Sequence, residues 1–579
     1  MAGAENRQEC PPGASVAPER STHPAMHAAV GLGFYVAVAL LQTAPLALHL
    51  TTSIPFGNGV SATVPRLNLW TLWWNSDRLL HAYHGYWQAP VFYPEPYSFV
   101  YSETQWLTGL LASPLFWMSG NPALTYDAVI LAALTLTGLG GYVLLRSLGL
   151  EFPAALCGGV ITEMLPTITD QLGVLQSTTV VFPILMALAC LVRFSRTGRV
   201  SSALGIGLWM AACFHTSSNM ALFFGPVLLL GLLTLAGRML IRARPAGALA
   251  VAGLSSALLV APIAIVQSRV LKTMPAYTSS AIAASSTHLG GYSQMAPTNT
   301  LRRRPPDRKE VTLGVGMALP ALAALGVIYG LRRRHLRGWT VYSVLAVVAC
   351  NLVSFGPLLD HVTLGALLGA PYNVLRAWYP GFQFARNLWR FSALAQIFLA
   401  PLAAFGIAAC FRGRGIRQGL PGALLTVAVG LDLLATPIPL LELRENQSRP
   451  EWVQWLTGSP PQTTVVHIPM PTDVTDDAFE RTAFWMDCQI YHGRRIANGY
   501  AAYIPSRTAL LLQVMPGFPD VESLRALQYF GIDHVAAGSD WLTPESASRV
   551  AQWSKWVVPE LVTDDMTIYR ILGAVPQPE

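Results

Sequence analysis

ALTYDAVILAALTLTGLGGYVLLRSLGLEFPAALCGGVITEMLPTITDQLGVLQSTTVVFPILMALACLVRFSRTGR (123–199) holds three apolar runs, Ala123–Leu145, Pro153–Leu165 and Thr178–Val192. The connector after the first carries Arg146, and the connector after the third carries Arg193, Arg196 and Arg199. Between them lies TITDQLGVLQS (167–177), polar and without a basic residue. Backbone amides in lipid must pair within their own segment, so apolar runs alternating with short polar connectors read as membrane helices. Arginine-dense connectors stay on the cytoplasmic side, and here every second connector is of that kind.

Outward from this stretch the pattern repeats. Ala28–Leu50 precedes it, too long and too poorly provided with a cleavage site to be a signal peptide, so it reads as a retained anchor. Ser202–Phe214, Met220–Ala236, Ala246–Val266, Leu313–Leu331, Thr340–Val353, Phe391–Phe411 and Leu420–Leu441 follow, giving about eleven spans. The remaining cytoplasmic connectors carry Arg238, Arg242 and Arg244; Arg332, Arg333, Arg334 and Arg337; and Arg412, Arg414 and Arg417. Glu151 is the one acid in the set. The N-terminus is therefore expected in the cytoplasm, with residues 1–27 as a disordered tail. The fold class is an all-α polytopic membrane bundle over 28–441, followed by an extracytoplasmic α/β domain over 442–579.

Composition agrees. Of 579 residues 52% are hydrophobic and 12% charged, about half the charged share of an ordinary soluble protein. The net charge of +7 comes from short basic clusters between apolar runs, which excludes a nucleic-acid reading. Seven cysteines show no CxxC or zinc spacing, and most lie in apolar runs as packing residues.

Two outer loops are long, 51–120 and 267–312. The first holds Trp70, Trp73, Trp74, Trp87, Trp106 and Trp117, and tryptophan's preference for the headgroup layer predicts amphipathic helices lying on the membrane surface. Within it Gln105–Met118 reads as a re-entrant or interfacial helix. The short spans that break at TITDQLGVLQS and at HTSSN (215–219) predict a water-accessible cavity roofed by the loops after spans one, three and five. In the C-terminal domain VVHIP (465–469) and DHVAAG (533–538) read as strands. Asp476–Tyr491, Ser523–Tyr529 and Pro544–Trp556 read as helices, and 561–572 as a hairpin turning at Asp564–Asp565.

Acids are scarce enough in the membrane half to enumerate: Asp77, Glu95, Glu103, Asp127, Glu163, Asp170, Asp360 and Asp432. Asp77, Glu95, Glu103 and Asp170 lie in outer loops and are expected to converge over the cavity, where a carboxylate can act as general base. Each has the plainer reading of a solvated loop acid. Asp77, His81 and His84 share a face if WWNSDRLLHAYHG is helical, a spacing that permits a divalent metal, although none is required. His81, His84, His215 and Glu95 are the expected cavity-lining residues. Arg386 and Arg390, one helical turn apart in PGFQFARNLWRF (380–391), and Arg302, Arg303 and Arg304 in LRRRPPDRKE (301–310) suit a lipid phosphate. Interfacial anchoring is the alternative for both groups.

RLNLWTLWWN (66–75), VFYPEPYSFVYSE (91–103), LTGLLASPLFWMSGNPALTYD (107–127), PGFQFARNLWRFSAL (380–394) and HGRRIANGYAAYIPS (492–506) are the residues of a family likeness. Their order resembles large bacterial members of the GT-C superfamily of membrane glycosyltransferases, from Ala28 through most of the chain. The resemblance implies transfer of a sugar from a polyprenyl-phosphate carrier to an envelope glycan, lipid or protein acceptor at the outer face of the bacterial inner membrane. It implies Glu103, then Asp77, as the catalytic acid, because TTSIPFGNGVSATVP (51–65) lacks the early acid that the superfamily usually carries there. Two other functions remain beside it: a catalytically silent scaffold or glycan-binding protein on the same fold, and a lipid or polymer transporter. The absence of internal repeats weighs against the transporter.

Overall fold

A computed structural model describes residues 24–57, 61–303, 312–361, 365–411, 416–473 and 475–573. Most of the expected N-terminal tail and Arg304 with the rest of its basic run lie outside the described residues.

Each apolar run lies on a helix. The membrane half comprises α1 (Pro24–Gln42), α2 (Thr63–Leu80), α3 (Trp106–Ser119), α4 (Pro122–Leu148) and α5 (Phe152–Glu163). It continues with α6 (Leu175–Thr197), α7 (Val200–Thr216), α8 (Ser218–Leu240) and α9 (Ala243–Leu271). It ends with α10 (Ala318–Arg332), α11 (Arg334–Ser354), α12 (Trp389–Cys410) and α13 (Ile416–Leu433). Among the described residues six helices, α4, α6, α8, α9, α11 and α12, are long and apolar enough to cross a membrane. The apolar stretches of α1, α5, α7, α10 and α13 are shorter, 10–17 residues. α12 is the central post, buried along most of its length. It meets α10 where Gly326 and Gly406 let the backbones touch: a Cβ on Gly326 would stand 1.7 Å from the Leu402 carbonyl oxygen. Such small-residue crossings replace the hydrophobic drive that lipid does not provide.

Two short strands close the membrane half on itself. β1 (Ser53–Pro55) pairs antiparallel with β2 (Leu440–Glu442), so the start of the 51–120 segment meets the end of the bundle. Beyond β2 a five-stranded sheet has the order β4-β3-β5-β7-β6, where β3 is Thr464–Ile468, β4 Arg495–Ile496, β5 His534–Gly538, β6 Val557–Val562 and β7 Met566–Ile571. β3 pairs parallel with β4 and β5, while β7 runs antiparallel to β5 and β6. β3 and β5 are buried throughout, Thr464, His467 and His534 included, as suits strands with neighbours on both sides. Helices α14 (Glu451–Gly458), α15 (Glu480–His492), α16 (Ser506–Val514), α17 (Val521–Phe530) and α18 (Pro544–Gln552) complete the domain.

Of the six tryptophans expected on the membrane surface, Trp117 is exposed and Trp73, Trp87 and Trp106 are half-buried, but two are core residues. Trp70 and Trp74 are 1% and 4% exposed and pack with Phe99, Met486 and Ile496 in a core shared with the C-terminal domain. Trp70 Nε1 donates to Gln489 Oε1 at 2.8 Å. Residues 90–93 add themselves to the sheet edge: Ile496 N donates to the Pro90 carbonyl at 2.9 Å, and Phe92 N to the Asn498 carbonyl at 3.0 Å. At the centre of this seam Arg66 Nη1 lies 2.5 Å from Glu445 Oε1 and 2.6 Å from Asp487 Oδ2, all buried. An indole can serve a lipid surface or a protein core equally well; the covering domain decides it here.

Candidate functional site

Glu103 follows a buried 3-10 turn, Ser98–Tyr101, and stands against the N-terminus of α8. Its Oε1 accepts from the Ser217 hydroxyl at 2.8 Å, the Ser218 hydroxyl at 3.3 Å and the Asn219 amide at 2.8 Å. Free amides and the helix dipole favour an anion at this position. Oε2 takes no hydrogen bond from a described residue.

Arg386 and Arg390 line the same cavity of about 130 Å³ as Glu103. Arg390, the second residue of α12, is 9% exposed, and its guanidinium makes no hydrogen bond or ion pair with a described residue. Arg386, exposed, lies over the Tyr277 ring, its carbon 5.5 Å from the centroid, and Tyr277 stacks on Tyr503 of the C-terminal domain at 5.3 Å. Asn219, Gln267 and Asn387 complete the polar wall. A buried guanidinium without a counter-ion beside a carboxylate already held by a helix terminus makes a site with positive charge to spare. Such a site suits a phosphate oxygen.

The other expected residues fall elsewhere, and the four carboxylates do not converge. Asp77 and Glu95 line a separate cavity of about 520 Å³ between the 51–120 segment and the C-terminal domain. Asp77 pairs with its neighbour Arg78. Asp170 is buried: its Oδ2 accepts from the Thr312 hydroxyl at 2.6 Å, so the loop after the third span packs inward and does not roof the cavity. Arg302 pairs with Asp432 at 2.7 Å, and Asp432 Oδ2 in turn accepts the first amides of α10 from Met317 and Ala318. That makes Arg302 part of a helix cap. Arg303 is exposed outside the Glu103 cavity.

α2 ends at Leu80, so Asp77, His81 and His84 do not share a helix face. Among the described residues no group of three His, Cys, Asp or Glu side chains is placed to hold a metal. His81 and His84 are exposed on the following turn. His215 lines a third, apolar cavity of about 660 Å³ bounded by the 83–107 stretch, α7 and α9, its Nε2 3.1 Å from the Leu259 carbonyl. Tyr277 and Tyr503 are the site residues that sequence reasoning missed. Tyr503 sits in the AAYIPS stretch already singled out, whereas Tyr277 carries no local signal.

No family model and no curated protein matches the sequence. Among solved structures, the arabinofuranosyltransferase AftD from Mycobacteria superposes with a TM-score of 0.57 at 12% identity, over 94% of this chain and 40% of that one. This chain thus spans well under half the length of that neighbour. The archaeal oligosaccharyltransferase AglB from Archaeoglobus fulgidus aligns at 0.47 and 11% over 90% and 70% of the two chains. ArnT from Cupriavidus metallidurans, bound to undecaprenyl phosphate, aligns at 0.38 and 13% over 95% and 99%. With the AftD superposition running over nearly its whole length, this chain has the fold of the GT-C glycosyltransferases.

Proposed function

We propose that the protein is a membrane glycosyltransferase that moves a sugar from a polyprenyl-phosphate carrier to a hydroxyl acceptor at the outer face of a bacterial inner membrane. Its N-terminus is cytoplasmic, about eleven helices span the membrane, and the C-terminal domain is extracytoplasmic. The observation that carries this reading is the meeting of Glu103, Arg386 and Arg390 in one cavity. The buried, unpaired guanidinium of Arg390 supports the assignment of the phosphate to that end.

In this reading Arg390 and Arg386 hold the phosphate that links sugar to lipid. Glu103 Oε2 takes the proton of the acceptor hydroxyl as its oxygen attacks the anomeric carbon. The new C–O bond forms as the bond from the anomeric carbon to the phosphate oxygen breaks, and the electron pair leaves on the phosphate. Attack from the face opposite the phosphate inverts the anomeric centre. The guanidiniums neutralise the leaving charge, so the scheme calls for no cofactor.

The test is release of polyprenyl phosphate from a panel of polyprenyl-phosphate sugars by the detergent-purified protein. Wild type releases carrier, and Glu103→Gln lowers the rate by about 10²–10⁴, the usual contribution of a general base. An unchanged rate in Glu103→Gln would exclude Glu103 as the base. The second reading, a silent glycan-binding scaffold, draws on the engagement of Glu103 Oε1 by the start of α8, which is a sufficient structural reason for the residue. Carrier binding without release, in wild type and variant alike, would favour it.

A further inference from the structure

The 520 Å³ cavity at the seam between the 51–120 segment and the C-terminal domain has a different chemistry from the Glu103 site. Its walls combine aromatic faces, Trp73 and Tyr93, with two carboxylates, Asp77 and Glu95, and two guanidiniums, Arg78 and Arg495. The four lining charges balance: Arg78 lies over the Trp74 ring at 4.5 Å and pairs with Asp77, and Arg495 lies over Tyr93 at 5.6 Å, a contact that leaves its N–H donors without an acceptor among the described residues. A cavity of this balance gives an anion no preference. It also lacks a donor at one point: Glu95 Oε2 is a buried carboxylate oxygen with no hydrogen bond, its nearest cation being Arg507 Nε at 3.9 Å.

A pyranose or furanose ring carries a face of C–H groups and an edge of hydroxyls that both donate and accept. The C–H face lies on half-buried aromatic rings, and the hydroxyl edge supplies donors to carboxylates and acceptors to guanidiniums. The cavity is within the usual size range of small-ligand sites, about 300–1,000 Å³. We infer that this seam is a binding site for a neutral oligosaccharide, with Trp73 and Tyr93 as platforms and Asp77, Glu95 and Arg495 as hydroxyl partners.

Its place along the chain gives the site a purpose. Tyr101 lines the Glu103 cavity, and its hydroxyl donates to Glu95 Oε1 at 3.4 Å, so the short stretch from Glu95 to Glu103 forms a wall of both cavities. A glycan seated at the seam therefore lies across that wall from Glu103. Calling that glycan the acceptor rests on the transferase reading; the binding site itself does not.

The experiment is equilibrium binding of fluorescein-labelled neutral hexose and pentose oligosaccharides to the full chain in detergent, with inorganic phosphate and a polyprenyl phosphate as anionic competitors. Saturable binding that neither competitor displaces is the expected result. Arg495→Ala, at an exposed position, and Trp73→Ala each weaken it about tenfold, which corresponds to about 1.4 kcal/mol. Trp73→Phe keeps the aromatic platform and retains most of the affinity. Lack of binding to every oligosaccharide overturns the inference, as does binding unchanged by Arg495→Ala and Trp73→Ala, or binding displaced by inorganic phosphate. Carrier release absent while this variant profile holds would remove the transferase reading and leave the glycan site standing.

Discussion

Two cavities flank the segment from Glu95 to Glu103, and they differ in charge rather than in residue types. Both contain arginine, carboxylate and aromatic side chains. At the Glu103 cavity Oε1 of the carboxylate is held by a helix terminus, and Arg390, over the Trp389 ring at 5.6 Å, makes no hydrogen bond or ion pair with a described residue, so two guanidiniums face one carboxylate. At the seam cavity the four lining charges balance, Arg78 pairs with Asp77, and Glu95 Oε2 takes no hydrogen bond from a described residue, with Arg507 Nε at 3.9 Å. The lesson is that a list of lining residues does not define a ligand. The pairing already completed within the protein does, because only the unsatisfied remainder is offered to what binds.

The largest expected effect comes at Glu103. Glu103→Gln keeps an acceptor oxygen for the α8 amides and so changes the melting temperature little, while carrier release falls by about 10²–10⁴. A comparable loss from Asp77→Asn, which touches only the seam cavity, would break the separation between the two sites. Next comes Arg66→Ala, which leaves Glu445 and Asp487 buried without their cation and lowers stability by about 3–5 kcal/mol. Denaturant unfolding checks it. Because the C-terminal domain lines both cavities, oligosaccharide and lipid-phosphate binding should fall together; loss of one alone would mean the cavities are organised independently.

Arg390→Gln sharpens the contrast from the other side. Removing a buried guanidinium with no partner should raise the melting temperature, while polyprenyl-phosphate affinity drops about 10- to 100-fold, the worth of a charged hydrogen bond. Equal affinity in wild type and variant would deny the excess charge any role. Arg386→Ala, at an exposed position, weakens the same binding less, by a few-fold.

A last effect, read against pH and not by a single substitution, arises in the C-terminal domain. His467 on β3 stacks on Trp485 at 4.8 Å and is fully buried, and burial pushes its pKa down to about 3. In the unfolded chain it titrates near 6.5, so between the two values the unfolded state binds the extra proton. Stability is therefore complete above about pH 6.5 and declines as the pH falls toward 3. Thermal unfolding across that range, compared with His467→Phe, measures the contribution. Oligosaccharide binding at the seam should fade with it as the domain loosens.

How far the sequence could be read depended on whether a feature is local. The apolar runs and the short stretches VVHIP and DHVAAG are local, and each lies on the element expected of it. Glu103, Arg386 and Arg390 are each singled out in the sequence on separate grounds, but their meeting in one cavity is a long-range fact that no local pattern carries. Asp77 and Asp170 could not be sorted in the same way. Their fates depend on Arg78 and Thr312, polar neighbours whose orientation is set only when the chain has folded. The tryptophans of the 51–120 segment misled for a related reason: hydrophobic surface does not specify whether lipid or protein covers it.

The pairing of β1 with β2 has a consequence in time. It joins Ser53 to Glu442, a contact that cannot form until the whole bundle between them has been synthesised. Through synthesis of the intervening spans, the 51–120 segment therefore waits without its sheet edge, without the Asp487 partner of Arg66, and without Arg386 and Arg390. Both candidate sites are completed by the last part of the chain to emerge. A truncated or stalled product would thus carry the helical bundle and neither finished cavity.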